Sequence, residues 1–250
     1  MDRFLYTLWV FVFGLVTGSF LNVCIYRIPR GVSLFLPASR CTACNSRLAP
    51  LDLIPAASYL ILRGRCRNCG SFINIRYFIV EVLTGLLFAA GYARLGFQPV
   101  LIKTFFFISI MIVLSFIDLE HYMVPNGLVL TGLVAGAVFL LVCKDVDWKS
   151  AFLGAVSSTG FLFALTVISR GGVGGGDIKL AAVIGLFLGW PLGLLSVFIG
   201  CCLAGVAGII MVLLKKMKLR DIMPFVPFLA LGSGVTAVWG AELTARCPFF

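Results

Sequence analysis

Long apolar runs and short polar breaks alternate along this chain, and one interval departs from that rhythm. The first apolar run extends from Phe4 to Ile25. Residues 27–76 then hold eight Arg and four Cys. From Tyr77 the chain is apolar almost to its end, with breaks at 94–99, 118–126, 144–149, 170–177, 189–193 and 215–224. An apolar run of about 20 residues can cross a bilayer core of roughly 30 Å as a helix. The first run is too long for a signal-peptide core, and no small-x-small cleavage pattern follows it, so it reads as a retained anchor. Seven further runs follow residue 76. Leu180–Leu214 holds two of them, turning at Gly189-Trp190-Pro191, and the first of these is short. The pattern predicts an all-α polytopic membrane protein with about eight transmembrane helices. Its parts are a first transmembrane helix at 1–26, an extramembrane module at 27–76 and a seven-helix membrane domain at 77–250.

Composition agrees. Apolar residues make up 61% of the 250, charged residues 12%, and the mean hydropathy is +1.09. An ordinary globular domain is about 45–50% apolar and about 25% charged. A water-exposed globule, a disordered chain and a collagen-like chain are excluded. The net charge of +10 would suggest nucleic acid in a soluble protein. In a membrane protein it reports topology, because Lys and Arg concentrate on the cytoplasmic side. With 27–76 cytoplasmic, its eight Arg join Arg170, Lys179, Lys215, Lys216, Lys218 and Arg220, so 14 of the 20 basic residues share one side. The bias predicts an N-out, C-out, multi-pass protein, with anionic lipid headgroups and no nucleic acid as partner of the basic surface.

The four Cys of the module read Cys41-x2-Cys44 and Cys66-x2-Cys69, 21 residues apart. Two CxxC pairs at this separation suit a tetrahedral Zn²⁺ with four thiolates, which leaves no open coordination position and so gives a structural role. A segment of about 50 residues has little core of its own, and a metal would stabilise it. The rival is two disulfides, which a reducing cytoplasm disfavours. Cys24, Cys143, Cys201, Cys202 and Cys247 read as small buried hydrophobes.

Acids in or near the spans are few: Glu81, Asp118, Glu120, Asp177 and Glu242. Ionisable groups at membrane depth are costly and point to function. Asp118 ends a span in Ile117-Asp118-Leu119-Glu120-His121. Asp177 closes a tract with five glycines in 171–177. The predicted orientation puts both on the cytoplasmic face. Two carboxyls held close share a proton, so the pair can activate water and protonate a leaving amide nitrogen. Glycines let a peptide backbone approach closely. The plain alternatives are an N-cap for Asp177, with Ile178 opening the next helix, and a solvated helix end for Asp118. The tract is no phosphate loop, because no Gly-Lys-Ser/Thr follows it. His121 reads as a solvated loop residue, Glu120 as solvated, and Glu81 as a carboxylate complementing a helix N-terminus.

Together these strings resemble the type IV prepilin peptidases, bifunctional leader peptidase/N-methyltransferases and Gly-x-Gly-Asp membrane aspartyl proteases. The resemblance runs from Gly18-Ser19-Phe20-Leu21-Asn22-Val23 and Tyr26-Arg27-Ile28-Pro29, through the Cys tetrad, Asp52-Leu53-Ile54-Pro55, Leu62-Arg63-Gly64-Arg65-Cys66 and Arg76-Tyr77 with Glu81, to Ile117-Asp118 and Gly174-Gly175-Gly176-Asp177. It implies that Asp118 and Asp177 are the protease dyad and that the substrate is a prepilin or pseudopilin cut at the cytoplasmic face. It also implies S-adenosylmethionine as methyl donor for the new N-terminus. No residue set by itself announces a donor pocket, and residues 18–81 are where one would be sought. The family commonly has Asp where Asn126 stands, and often Pro where Thr42 stands. Three readings remain beside this one: a peptidase without methyl transfer, a proton- or cation-coupled transporter using both acids, and a zinc-stabilised scaffold. Against the transporter, the two halves show no internal repeat.

Overall fold

The structure, a computed structural model, describes residues 2–36, 38–169, 171–218, 221 and 223–246, with side chains only between residues 3 and 237. Arg170, Arg220 and Cys247 lie outside the described residues, as do the side chains of Glu242 and Arg246.

The described residues form helices and no strand. In chain order these are α1 (Asp2–Arg27), the short α2 (Ala57–Ile61), α3 (Arg76–Leu95), α4 (Pro99–His121), α5 (Asn126–Cys143), α6 (Trp148–Ile168), α7 (Gly175–Leu188), α8 (Leu192–Leu213) and α9 (Val226–Arg246). Their ends fall where Gly and Pro punctuate the apolar runs. Gly96 and Gly189 take left-handed φ angles of 64° and 73° after α3 and α7, and Pro125 and Pro191 cap α5 and α8. Six helices (α1, α3, α4, α5, α6 and α8) are long and apolar enough to cross a membrane. The chain is a multi-pass membrane protein. At 14 residues α7 spans about 21 Å at 1.5 Å per residue, less than a bilayer core of roughly 30 Å.

The chain divides into two compact units, Met1–Val113 and Leu114–Phe250. In the first, α1 and α3 pack closely because small residues line the seam. A Cβ on Gly14 would lie 2.7 Å from the Gly85 Cα, and one on Gly18 would lie 2.7 Å from the Glu81 Cα. Val10, Phe88, Tyr92 and Leu101 form a buried cluster beside this seam, with the Phe88 and Phe105 rings stacked 4.0 Å apart.

Between α1 and α3 lies the Cys module, built from two turns of the same form. Cys41 N–H donates to Ser46 O and Asn45 N–H to Cys41 O; Cys66 N–H donates to Ser71 O and Gly70 N–H to Cys66 O. Asn45 and Gly70, each four residues past the first Cys, both take left-handed φ angles of 60° and 70°. Asp52 joins the turns to the rest of the module. Its Oδ1 pairs with Arg67 at 2.8 Å and its Oδ2 accepts the Ala49 N–H at 3.3 Å.

In the second unit α7 is the buried helix, with Leu180, Ala181, Val183, Ile184 and Phe187 all out of solvent. It lies against α5, α6 and α8. The α6–α7 contact is nearly backbone on backbone, since a Cβ on Gly185 would run into the Gly154 carbonyl. The surrounding helices turn apolar side chains outward at helical spacing, for example Leu130, Val134, Val138 and Leu141 on α5. Such a face suits lipid. A short helix enclosed by longer ones can place its N-terminus at membrane depth without exposing backbone to hydrocarbon.

Candidate functional site

Asp118 and Asp177 line one pocket of about 270 Å³ in the second unit, together with Tyr122, Met123, Val124, Asn126, Gly174, Gly175, Gly176 and Lys179. Both acids are buried, at 6% and 8% exposure. Local structure explains how each arrives there. Asp118 lies in the last turn of α4, which ends as Tyr122 adopts a left-handed φ of 52° and its N–H donates to the Asp118 carbonyl at 2.9 Å. The loop 122–125 then passes the glycine tract. A Cβ on Gly176 would fall 2.7 Å from the Val124 Cβ, so only glycine lets α7 start this close to the loop. Gly174 serves the carboxyl itself, because a Cβ there would sit 3.0 Å from the Asp177 Oδ2.

Asp177 is not the N-cap. Gly174 is, α7 begins at Gly175, and Asp177 is its third residue with its N–H on Gly174 O at 3.1 Å. Glycine takes the cap's extended conformation, and the Asp177 carboxyl reaches back to its N–H. Nor is Asp118 a solvated helix end. Its Oδ2 accepts the Val226 N–H at 2.9 Å. Val226 opens α9, so this N–H is one of the helix's unpaired first-turn donors.

Two further pocket residues were not singled out as functional by sequence reasoning. Lys179 Nζ donates to Asn126 Oδ1 at 3.0 Å, and both line the pocket. The signal was present, since Lys179 follows Asp177 by two residues and Asn126 follows Pro125 at a helix start. The Val226 donor had a weaker one, the prolines at 224 and 227. His121 is the last residue of α4, and its Nε2 is buried without a hydrogen-bond partner among the described residues. Glu120 is exposed. Glu81 departs from expectation, being buried in the second turn of α3, with no acid in the first.

In the first unit the four Cys converge. The Sγ atoms of Cys41, Cys44, Cys66 and Cys69 all lie within 4.8 Å of one another, with Cys41 and Cys69 at 3.9 Å. A tetrahedron with metal–sulfur bonds of about 2.3 Å has edges of about 3.8 Å, so the set fits a metal ion. Every described cysteine is a free thiol, which removes the disulfide reading for these residues. The N–H groups of Cys44 and Ala43 hold the Cys41 thiol below its ordinary 9.0, down to about 6. The Ser71 hydroxyl and N–H likewise lower Cys69. Thiolates are the form a metal binds.

Comparison with known proteins agrees with this division. Residues 12–95 match the model of the bacterial peptidase A24 N-terminal domain, and residues 105–209 match that of the type IV leader peptidase family. The chain is 36% identical over 234 residues to a prepilin leader peptidase/N-methyltransferase of Bacillus subtilis, covering 94% of each chain. It is 33% identical to one of Aeromonas hydrophila, over 96% of this chain and 93% of that protein. It is 39% identical to one of Myxococcus xanthus, over 84% of this chain and 64% of that protein. No solved structure matches the chain.

Proposed function

The chain belongs to the type IV leader peptidase family, and on that premise we propose that it removes the leader of type IV prepilins or pseudopilins through Asp118 and Asp177 and then methylates the new N-terminal amine. The observation that carries the peptidase reading is the shared pocket of the two buried carboxyls. One carboxylate takes a proton from water as the water attacks the scissile carbonyl. The partner acid gives a proton to the departing amide nitrogen. The proton belongs to the pair, so neither role is fixed to one residue. The backbone N–H groups of Val226 and Phe225 hold the Asp118 carboxyl in place at the pocket. Asp118→Asn and Asp177→Asn are each expected to reduce cleavage of a prepilin by about 10²- to 10⁴-fold. Full cleavage by either variant would refute the dyad.

The remaining assignments rest on the same family and on physical arguments. Eight spans, with α7 and α9 crossing among the longer helices, put the Cys module and the dyad on the cytoplasmic face of the inner membrane. There, anionic headgroups complement the module's arginines. A Zn²⁺ on Cys41, Cys44, Cys66 and Cys69 stabilises the module and leaves no coordination position for chemistry. The methyl-transfer half is supported by the names of relatives that this chain matches over most of its length. S-adenosylmethionine supplies the methyl group. Cleavage without transfer of a labelled methyl would leave a peptidase only.

A further inference from the structure

Glu81 is a buried acid that the cleavage chemistry leaves unused, 7% exposed on α3. Around it α1 and α3 run antiparallel in a fixed register. Gly18 meets the Glu81 backbone, and one turn further along α1 the Asn22 Nδ2 donates to the Tyr77 carbonyl, one turn back along α3, at 3.0 Å. Side chains on a helix lean toward its N-terminus, which carries the Glu81 carboxyl toward the level of Asn22. There its Oε2 accepts the Ala56 N–H at 2.7 Å, and Ser19, one turn before Asn22 on α1, also hydrogen-bonds to it.

Asn22 is the second observation. It is 1% exposed, and its Oδ1 is buried with no hydrogen-bond partner. Flipping the amide would not help, because Oδ1 would then face the Tyr77 carbonyl, acceptor against acceptor. A buried acceptor without a donor is uncommon in folded proteins and calls for a missing partner. A carboxylate and an unpaired amide oxygen within one turn of each other are acceptors only. An ammonium, with three N–H donors and a positive charge opposite the carboxylate, satisfies both.

We propose that Glu81 and Asn22 form the amine-binding site for methyl transfer, receiving the free N-terminus of the cleaved substrate. This rests on the methyltransferase reading. It also fits the family match, since all these residues lie within 12–95, outside the match to the leader peptidase family itself. An N-terminal ammonium, with a pKa of about 7.7–8.0, arrives largely protonated. Glu81 takes one proton, and the freed nitrogen lone pair attacks the methyl carbon of the sulfonium donor. The N–C bond forms as the C–S bond breaks, its electron pair going to sulfur. The products are a methylammonium and a neutral thioether, and the proton on Glu81 leaves to water.

The test uses the full chain in lipid nanodiscs and a synthetic peptide of mature pilin type, with a free or an acetylated N-terminus. Binding is read by fluorescence polarisation without donor, methyl transfer with labelled donor, and prepilin cleavage as a control. Gln at position 81 still accepts the Ala56 N–H, so Glu81→Gln removes the charge and keeps the tether. Wild type is expected to bind the free amine at least tenfold more tightly than the acetylated peptide. Glu81→Gln is expected to lose that preference and at least 100-fold of methyl transfer, with cleavage within twofold. Asn22→Ala, which leaves Ala56 untouched, should lose several-fold of the amine preference. Equal binding of the two peptides by wild type, or an amine preference retained in Glu81→Gln, overturns the site. An amine preference lost in Glu81→Gln, in a wild type that transfers no methyl, would sustain the site while sinking the methyltransferase reading.

Discussion

The backbone N–H of Val226 donates to the Oδ2 of Asp118 at 2.9 Å, joining residues 108 positions apart. The link fixes one member of the proposed dyad from the first residue of α9. It can be removed with little other damage, because proline is well tolerated at the first position of a helix. Val226→Pro deletes the donor and the buried side chain but leaves the Phe225 N–H, while Val226→Ala keeps the donor and only trims the side chain. A hydrogen bond to a charged group contributes about 1.5–3 kcal/mol, so Val226→Pro should lower the cleavage rate roughly 10- to 100-fold. Val226→Ala should keep most of the rate. Equal rates for the two variants, measured on one prepilin, would show that the bond does not position Asp118 for cleavage.

The glycine tract allows a matched pair of substitutions. A Cβ on Gly175 would meet nothing within 4 Å, whereas one on Gly176 would lie 2.7 Å from the Val124 Cβ. Both residues are in the first turn of α7, where alanine is the better helix former by about 1 kcal/mol. Gly175→Ala should therefore be neutral or slightly stabilising, with cleavage intact. Gly176→Ala must push α7 from the 122–125 loop and should cut cleavage tenfold or more. If the two behave alike in a cleavage assay, close approach at Gly176 is not what brings the acids into one pocket.

Much of this arrangement was readable from the chain. Gly96, Pro125 and the Gly189-Trp190-Pro191 turn marked helix ends because Gly and Pro act locally, through φ and a missing donor. The Cys spacing was equally local, since each CxxC turn closes on itself through residues within five positions. What escaped was long-range. Nothing near Asp118 announces a donor 108 residues away. Asn22 reads as one polar residue in an apolar helix until the Tyr77 carbonyl is placed beside it. By sequence Asp177 reads equally well as a cap, because Asp is a strong capper, whereas in the structure Gly174 takes the cap position.

The α6–α7 contact makes a stability prediction independent of chemistry. A Cβ on Gly185 would strike the Gly154 carbonyl, which is backbone and has no rotamer to yield. Overpacking typically costs about 1–3 kcal/mol and more where the neighbour cannot move. Gly185→Ala should lower the unfolding temperature in detergent by several degrees or prevent folding. Gly160→Ala, on α6 with nothing within 4 Å of its Cβ, should not lower it. An unchanged transition in Gly185→Ala would show that α6 and α7 are further apart than the structure has them.

The Cys module predicts a separation of metal loss from helix loss. Its two turns hold no strand, and 27–76 is too short to fold well on its own core, so a metal on the four thiolates would be the main support. The half-exposed Arg67–Asp52 ion pair contributes at most about 1 kcal/mol and cannot substitute. Chelation of the purified protein should release one metal ion per chain, by elemental analysis. It should also open 40–75 to trypsin, for which five arginines between Arg40 and Arg67 provide sites. Circular dichroism should keep nearly all its helical signal, since only α2, five residues long, lies in that segment. Cys41→Ser should reproduce this pattern without chelator. Arg67→Ala should not, which separates loss of the metal from loss of the ion pair. A Cys41→Ser protein that resists trypsin as wild type does would mean that the module folds without its metal.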